Sequence, residues 1–595
     1  MPCRQHLAED MTGNEREELD RLIAARRFAE ARAACDALLA NSPQELGLLY
    51  IAGMLAADAK DLPVAARCFF RVLELAPGEA PAYLHLGNAY MLQKRLQKAA
   101  ACYRKALELE PAFAEAANKL GFILAFYLGE AREGVAALRR ATALEPDYDD
   151  PRVYLKAPFR REGPALGQST LLFALSYNVL CSPAQLLEEH REWDRRFGGP
   201  GRAARCTHVP PPADDARGQD KPLRIGYVSP DLRRHAVSYF FEPLLAAHDR
   251  RRVEVYCYAE VGKGDEVTER LKAQADHWRV TVGQGDAEVA RQIFEDGIDI
   301  LVDLAGHTAG NRLQVFTYKP APIQVSYLGY CTTTGLEAMD YWITDAVVTP
   351  EDTVERTTET IWRLPRCWLC YRPDPGAEGE TPAVAPRPGP SPIEAAVTFG
   401  SFNQVSKISE ELVALWSEVL NAVPGSRLVL KAWALSDEQV CATLRERFMR
   451  HGIAAERLEF RGVSTDYLRE YGDVDIALDP FPRTGGATTA DALWMGVPVV
   501  TLAGERMIER QGASLLSAVG LNELIAADHT DYVAKAVALA QDSERRASLR
   551  AQLRERMADS ELCDGRGLTA VLEDAYRDMW NKFAKREARS VKSEK

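Results

Sequence analysis

The sequence lacks the long apolar runs that mark membrane-spanning helices. No window of about 18 uncharged apolar residues occurs in its 595 residues. The start, Met1–Glu18, is polar and lacks the apolar core of a secretory signal. Basic charge is also short, because 73 Lys and Arg stand against 86 Asp and Glu, a net charge of −13. We therefore expect a cytoplasmic chain without a membrane span, and we do not expect nucleic acid as a partner.

Cysteine forms no framework in this chain. The twelve cysteines are scattered, as in proteins that keep their thiols reduced in a cytoplasm. The one CxxC pair, Cys367 and Cys370, lacks the second pair that a zinc site needs. Asp473 and Asp475 look like a metal-binding DxD motif, but they lead into the strand-like run VDIALD, which explains at least one of them. We predict no metal and no bound cofactor.

A repeat of 34 residues is the first feature that is present. Pro43, Pro77 and Pro111 are 34 residues apart, Pro146 follows 35 later, and glycines repeat at the same step. In the clearest unit, Tyr83–Pro111, small residues would let two antiparallel helices approach, and proline would end the second. This is the tetratricopeptide pattern. Such a solenoid has a concave face, which predicts docking of a partner protein or peptide.

After Lys221 the pattern changes to short β-rich runs that alternate with helical stretches, which indicates parallel α/β architecture. The alternation is interrupted by a proline-rich stretch and then restarts. We predict an α plus α/β chain with seven segments: a disordered start (1–12), repeats (13–146), a helical connector and linker (147–220), a first α/β lobe (221–372), a proline-rich linker (373–392), a second α/β lobe (393–581) and a basic tail (582–595). Ligands of such lobes bind beyond the carboxyl ends of the strands.

The strongest local motif is DPFPRTGGATTADALWMGVPVVTLAG, residues 479–504. Gly485 and Gly486 permit a tight loop, and Thr488, Thr489 and Asp491 then open a helix. Free N–H groups at a helix N-terminus favour an anion such as a diphosphate, and Asp491 could accept hydrogen bonds from a ribose. An ordinary helix cap by Thr488 or Thr489 explains the same residues equally well.

Three further motifs follow predicted strands. Gln404 ends a polar turn, and Lys407 after it could neutralise a departing phosphate. His235 follows the first strand and is a candidate base or hydrogen-bond donor. His307 lies in the first of two glycine- and threonine-rich loops, AGHTAG and LGYCTTTG, whose N–H groups could reach a sugar or an anion. Each has an ordinary structural explanation, namely a solvated lysine, a capping histidine and a surface-loop histidine.

Residues from Arg224 to about Leu516 resemble the catalytic region of glycosyltransferases that attach N-acetylglucosamine to protein serine or threonine. That family includes the plant SPINDLY proteins and bacterial relatives. The resemblance rests on the strings KPAPIQVSYLGY and GGATTADALWMGVPVVTLAG, and on all four motifs following tetratricopeptide repeats in this order. It implies a GT-B fold of two Rossmann-like lobes, with a nucleotide-sugar such as UDP-GlcNAc bound between them. It also implies metal-independent, inverting transfer to an acceptor protein docked by the repeats.

The resemblance assigns roles by position. Gln404 and Lys407 match residues that hold the nucleotide and its diphosphate, and Asp491 matches the ribose-binding aspartate. His235 matches an active-site histidine near the acceptor, which leaves open whether His235, a phosphate oxygen or water removes the acceptor proton. The catalytic candidates are thus His235 and Lys407, and the nucleotide-sugar candidates are Gln404, Thr488, Thr489, Asp491, Gly486, Leu328, Gly329 and His307.

Three departures from the family pattern bear on the donor. Ala487 replaces a threonine of the diphosphate cluster, and Cys331 replaces proline in a GYPGTTG-like loop. Segment FRGVSTDYL, residues 460–468, is shorter than its counterpart and lacks a nucleotide-contacting lysine and histidine. Other readings therefore stay open: a different donor such as GDP-fucose or another bacterial sugar, an asparagine acceptor, or a non-catalytic scaffold that binds nucleotide-sugar.

Overall fold

The computed structural model describes residues 13–25, 27–144, 164–208, 221–373, 381–384 and 396–593. The predicted start (1–12), part of the connector and most of the proline-rich linker lie outside these ranges. The chain divides into two compact units, one of Met1–Gly167 with Trp433–Thr443 and one of Gln168–Ala432 with Leu444–Lys595. In the part of the chain that is described, no helix is long and apolar enough to cross a membrane.

The repeats of the first unit fold as pairs of antiparallel helices. The helices are α1 Gly13–Ala24, α2 Phe28–Asn41, α3 Leu46–Asp58, α4 Leu62–Leu75, α5 Ala80–Leu92, α6 Leu96–Leu109, α7 Ala114–Ile123 and α8 Ala131–Leu144. Helix α7 continues into a π-helical turn, Leu124–Leu128, which ends at Gly129 with φ 76°. A π turn holds one extra residue, so it accommodates the spacing of 35 in the last repeat. The predicted tetratricopeptide solenoid is confirmed.

The repeated glycines lie where the two helices of a repeat pack too closely to leave room for a side chain. A Cβ on Gly87 would lie 2.5 Å from Cε1 of Tyr103. Tyr103 is fully buried, and its hydroxyl donates to Asn88 Oδ1 at 2.8 Å, so the ring is held in place. We expect Gly87→Ala to lower the free energy of unfolding of the repeats by about 1–3 kcal/mol, the cost of overpacking.

Urea denaturation followed by circular dichroism measures this effect. Gly78→Ala is the matched control, because its Cβ would meet no atom within 4 Å, and it should change stability by less than about 0.5 kcal/mol. Equal effects of the two substitutions would show that Tyr103 does not constrain Gly87.

The first lobe is a seven-stranded parallel sheet in the order β3-β2-β1-β4-β5-β6-β7. Its strands are β1 Leu223–Ser229, β2 Val253–Ala259, β3 His277–Val280, β4 Ile300–Asp303, β5 Ile323–Ser326, β6 Tyr341–Asp345 and β7 Thr360–Leu364. The helices before and within it are α9 Pro164–Tyr177, α10 Pro183–Phe197, α11 Gly199–Ala203, α12 Ala236–Ala247, α13 Glu266–Gln274, α14 Asp286–Glu295 and α15 Leu313–Thr317. The strand order reverses at β1 and β4, which is where such sheets bind ligands.

The second lobe repeats this plan with six parallel strands in the order β10-β9-β8-β11-β12-β13. Its strands are β8 Thr398–Ser401, β9 Arg427–Lys431, β10 Leu458–Arg461, β11 Ile476–Leu478, β12 Val499–Leu502 and β13 Ile525–Ala526. Its helices are α16 Glu410–Ala422, α17 Glu438–Arg450, α18 Ala487–Trp494, α19 Gln511–Ala518, α20 His529–Gln541, α21 Ser543–Ala558 and α22 Gly565–Ser593. The predicted α plus α/β fold with two Rossmann-like lobes is confirmed.

The last helix differs from the predicted division at residue 581. Helix α22 runs on to Ser593 and packs on the first lobe, not the second. Glu573 of α22 accepts a hydrogen bond from Nδ1 of buried His248 at 3.0 Å, and Thr569 Oγ1 donates to the Leu244 carbonyl at 3.4 Å. The chain therefore returns to its first lobe after completing the second.

Candidate active site

The loop before α18 is built around a buried carboxylate. Asp479 follows β11, is 2% exposed, and accepts hydrogen bonds from the Gly485 N–H (2.7 Å), Thr501 Oγ1 (2.7 Å) and Thr489 Oγ1 (3.3 Å). Gly486 is the N-cap residue just before α18, and it makes no side-chain cap hydrogen bond. The first N–H groups of α18 therefore remain available to an anion, and the alternative of a threonine cap does not hold.

Lys407 lies beside this helix N-terminus. Its Nζ donates to Asn403 Oδ1 at 2.7 Å and to the Thr484 carbonyl at 3.0 Å. Asn403 Oδ1 also accepts from Thr488 Oγ1 at 3.0 Å, so one amide joins the lysine to the helix. Burial lowers the pKa of Lys407 to about 8, with the charge of Asp479 opposing the shift. Gln404, by contrast, is exposed at the start of the turn Val405–Lys407.

The ribose candidate Asp491 is 3% exposed and held by two tyrosines. Its Oδ1 accepts from the Tyr371 hydroxyl at 2.5 Å, and its Oδ2 accepts from the Tyr467 hydroxyl at 3.0 Å. Tyr371 comes from the first lobe, and Tyr467 belongs to the short 460–468 segment of the second. Both carboxylate oxygens of Asp491 are thus directed to protein groups.

His235 precedes α12 at the carboxyl end of β1, and its side chain is 42% exposed. Its Nδ1 accepts a hydrogen bond from the Val237 N–H at 3.3 Å and lies 3.6 Å from Asp231 Oδ2. Desolvation lowers the pKa of His235, and the charge of Asp231 opposes this. A neutral ring that accepts at Nδ1 carries its proton on Nε2, so Nε2 is the nitrogen that can donate.

The sugar candidates lie on a strained turn after β5. Leu328 has φ 64°, in the region that favours glycine. A Cβ on Gly329 would lie 2.0 Å from the Leu304 carbonyl oxygen, so the two strand-end loops touch through their backbones. The threonine hydroxyls that follow are used internally, because Thr333 and Thr334 both donate to the buried carboxylate of Glu359. They hold the loop in shape instead of facing a ligand.

His307 is not brought to the surface of the cleft. It is 1% exposed, its Nε2 lies 2.8 Å from the Thr334 carbonyl, and its Nδ1 lies 3.0 Å from Ser169 Oγ. Its ring packs edge-to-face on Trp193 and His190 of α10, and burial lowers its pKa. Both ring nitrogens are thus occupied behind the loop, and the structure gives His307 a role in positioning Thr334.

The acidic pair read as a possible DxD motif has structural partners. Asp475 Oδ2 accepts from the Thr398 N–H at 2.8 Å, and Asp473 Oδ2 pairs with Arg461 at 2.8 Å. Cys367 and Cys370 are free and buried. Over the described ranges, no three His, Cys, Asp or Glu side chains are grouped as metal ligands would be.

Several residues at this site carry no local sequence signal. Their side-chain hydrogen bonds join them to residues that are between 24 and 180 positions away in the sequence, apart from the contact of Asn403 with Lys407. These residues are Asn403, Tyr371, Tyr467 and Gln511. The sequence motif begins at Asp479, but the sequence does not indicate which residues donate hydrogen bonds to it. The one sequence signal for this role is a carboxylate at a strand end that is followed by Gly485 and Gly486.

Two Rossmann-like lobes of this kind are the architecture of the GT-B class of folds. A model of glycosyl transferase family 41 matches residues 208–371 and 383–572, and a tetratricopeptide-repeat model matches residues 80–113. Because the first match covers more than half of the chain, the protein belongs to glycosyl transferase family 41.

Sequence relatives agree with this placement. The chain is 39% identical over 440 residues to the probable UDP-N-acetylglucosamine–peptide N-acetylglucosaminyltransferase SPINDLY of Arabidopsis thaliana, covering 72% of this chain and 46% of that protein. It is 33% identical to the SEC protein of the same plant, over 61% of this chain and 37% of that one. The chain thus spans about half the length of the plant proteins, or less.

A solved structure covers nearly the whole chain. The O-GlcNAc transferase of Thermobaculum terrenum, solved as a lysine-to-methionine mutant, superposes with a TM-score of 0.78 at 36% identity. The match covers 91% of this chain and 98% of that one.

Proposed function

We propose that the protein transfers N-acetylglucosamine from UDP-GlcNAc to serine or threonine hydroxyls of acceptor proteins. The observation that carries this is the meeting of Lys407 Nζ, Asn403 and the uncapped N-terminus of α18. These groups supply positive charge and N–H donors at one point, as a departing diphosphate requires. The donor and the acceptor class are taken from the names of the family 41 relatives.

The proposed reaction is a single displacement at the anomeric carbon. The bond from that carbon to the diphosphate oxygen breaks, and a bond to the acceptor oxygen forms on the opposite face, which inverts the configuration. The nucleoside diphosphate leaves with the electron pair and is stabilised by Lys407 and the N–H groups of α18. The acceptor hydroxyl loses its proton. With Nδ1 already accepting from Val237, His235 supports this reaction as an Nε2–H donor, and a phosphate oxygen or water is left as the base.

The repeats have a separate role in this proposal. The helix pairs α3–α8 form a tetratricopeptide solenoid, a class of structure that binds peptides and proteins. We propose that they bind the acceptor protein, while the two lobes bind the nucleotide-sugar. The docking surface is short, since the described residues form only a few such helix pairs, and few acceptors are expected.

A thermal-shift screen against UDP, GDP, dTDP and their common sugars tests the proposal. A ligand at 100 times its Kd should stabilise the fold by about 2.7 kcal/mol. Stabilisation by UDP and UDP-GlcNAc supports the donor named here. Stabilisation only by guanine or thymine nucleotides would replace the donor and direct attention to Ala487, and no shift with any nucleotide would reject a nucleotide-sugar site.

A further inference from the structure

Gln511 links the two halves of the candidate site, although no sequence motif includes it. It is the first residue of α19 in the second lobe. Its Nε2 donates to Cys331 Sγ of the first lobe at 3.1 Å. Cys331 follows the Leu328–Gly329 turn, so this amide is attached to the loop that the family resemblance places beside the sugar.

The other end of the same amide faces the helix N-terminus. Gln511 Oε1 lies 3.2 Å from the place where a Cβ on Gly486 would stand, so it closely approaches the N-cap residue of α18. The amide therefore spans the gap between the sugar-side turn and the diphosphate-side helix. Gln511 is therefore placed to contact a group bound at this point.

The backbone of Gln511 is fixed by the site itself. The N–H of Gly512 donates to Thr484 Oγ1 at 3.2 Å, and the Thr484 carbonyl accepts from Lys407. A Cβ on Gly512 would lie 2.3 Å from Asp479 Oδ2, so this stretch is packed directly on the buried carboxylate. Gln511 is thus placed by the same residues that place Lys407.

Cys331 positions this amide and does not react. Burial raises the pKa of Cys331 to about 12, with the charge of Glu355 adding to the rise and that of Lys407 opposing it. A neutral thiol is a weak acceptor that takes one N–H of the amide. Since a glutamine amide has two donors and two acceptor positions, one N–H and the oxygen remain for a ligand that offers both acceptors and donors.

We propose that Gln511, positioned by Cys331, contacts the sugar of the donor and contributes to the choice of sugar. Hydroxyl and acetamido groups both donate and accept, and they match the open positions of the amide. This inference rests on the proposed function, because it requires a nucleotide-sugar in the cleft. It adds a specificity residue to that site, and it gives Cys331, which departs from the family pattern, a defined task.

The test compares a nucleotide-sugar with its nucleotide in the full-length chain. Isothermal titration calorimetry gives the Kd of UDP-GlcNAc and of UDP for the wild type and for Gln511→Leu, which keeps the size and removes the hydrogen bonds. We expect the Kd of UDP-GlcNAc to rise about 5- to 10-fold and that of UDP to change less than about twofold. An equal change for both ligands, or none for either, would overturn the inference.

Two further variants separate positioning from contact. Cys331→Ala removes the acceptor of the amide and should weaken UDP-GlcNAc but not UDP, whereas Cys331→Ser restores an acceptor and should return the Kd toward the wild-type value. Failure of serine to rescue alanine would overturn the positioning role of Cys331. If the thermal-shift screen selects GDP, GDP and GDP-fucose replace the uridine ligands. A wild type that binds no nucleotide rejects the proposed function, whereas one that binds nucleotide and sugar-nucleotide without any effect of Gln511→Leu rejects only this inference.

Discussion

Lys407→Ala should reduce turnover by about 10²- to 10³-fold, the usual cost of losing one group that stabilises a leaving anion. The lysine donates to Asn403 and to the Thr484 carbonyl next to the uncapped helix. The substitution removes the positive charge of the lysine side chain but leaves the N–H groups of α18 in place. The measurement is release of nucleoside diphosphate in the presence of an acceptor, with the melting temperature recorded beside it.

A matched control separates charge at the site from charge in general. Lys272 is an exposed lysine on α13, and Lys272→Ala should leave turnover unchanged. If Lys407→Ala keeps the melting temperature and also keeps turnover, the leaving-group role of Lys407 is rejected.

The lowered pKa of Lys407 adds a pH signature to this result. A lysine stabilises an anion in its protonated form, which is present below its pKa and lost above it. Because the pKa is lowered to about 8, kcat/KM for the donor should fall as the pH rises through about 8, since this ratio reports the free enzyme. Lys407→Arg, whose side chain stays charged, should remove that limb of the profile.

The sequence predicted the elements that have strong local patterns. Ten runs of the sequence have the β-rich pattern, from LRIGYVS in the first lobe to VPVVTL in the second, and each contains an observed strand. The glycine-rich loop does precede a helix. The sheets have three further strands that were missed, β3, β7 and β13. They are short, and all three lie at sheet edges, where many side chains are only partly buried. Edge strands lack the continuous apolar run that marks a buried parallel strand.

The finer arrangement of the site depends on contacts between distant parts of the chain. Sequence spacing places Lys407 and Thr488 after two different strands, but it does not show that Asn403 joins them. Sequence spacing likewise suggests that His307 and Asp491 face a ligand. In the structure, Ser169 of α9 contacts His307, and the Tyr371 hydroxyl donates a hydrogen bond to Asp491. Motif residues indicate where a ligand binds, whereas the partners decide which of them remain free to touch it.

Asp479→Ala should be the most damaging single change in the second lobe. The carboxylate is buried and accepts from the Gly485 N–H, Thr489 and Thr501. Burial raises its pKa, and the hydrogen bond from Thr501 and the charge of Lys407 oppose that rise. Removing it leaves the buried Gly485 N–H and the hydroxyls of Thr489 and Thr501 without their acceptor, at a cost of about 1–3 kcal/mol for each buried group left unsatisfied. Denaturant unfolding and nucleotide binding should both show the loss.

Asp479→Asn separates the shape of this residue from its charge. Its amide oxygen can still accept from the Gly485 N–H at the position that is now 2.7 Å away, so the loop should stay folded and the loss of stability should be smaller than for alanine. The charge of Asp479 raises the pKa of Lys407, so its removal should lower that pKa further. The fall in kcat/KM should then begin at a lower pH than in the wild type. An unchanged pH profile in Asp479→Asn would mean that Asp479 acts on the loop alone. A shifted profile would show that one carboxylate both folds the diphosphate loop and sets the charge of the lysine beside it.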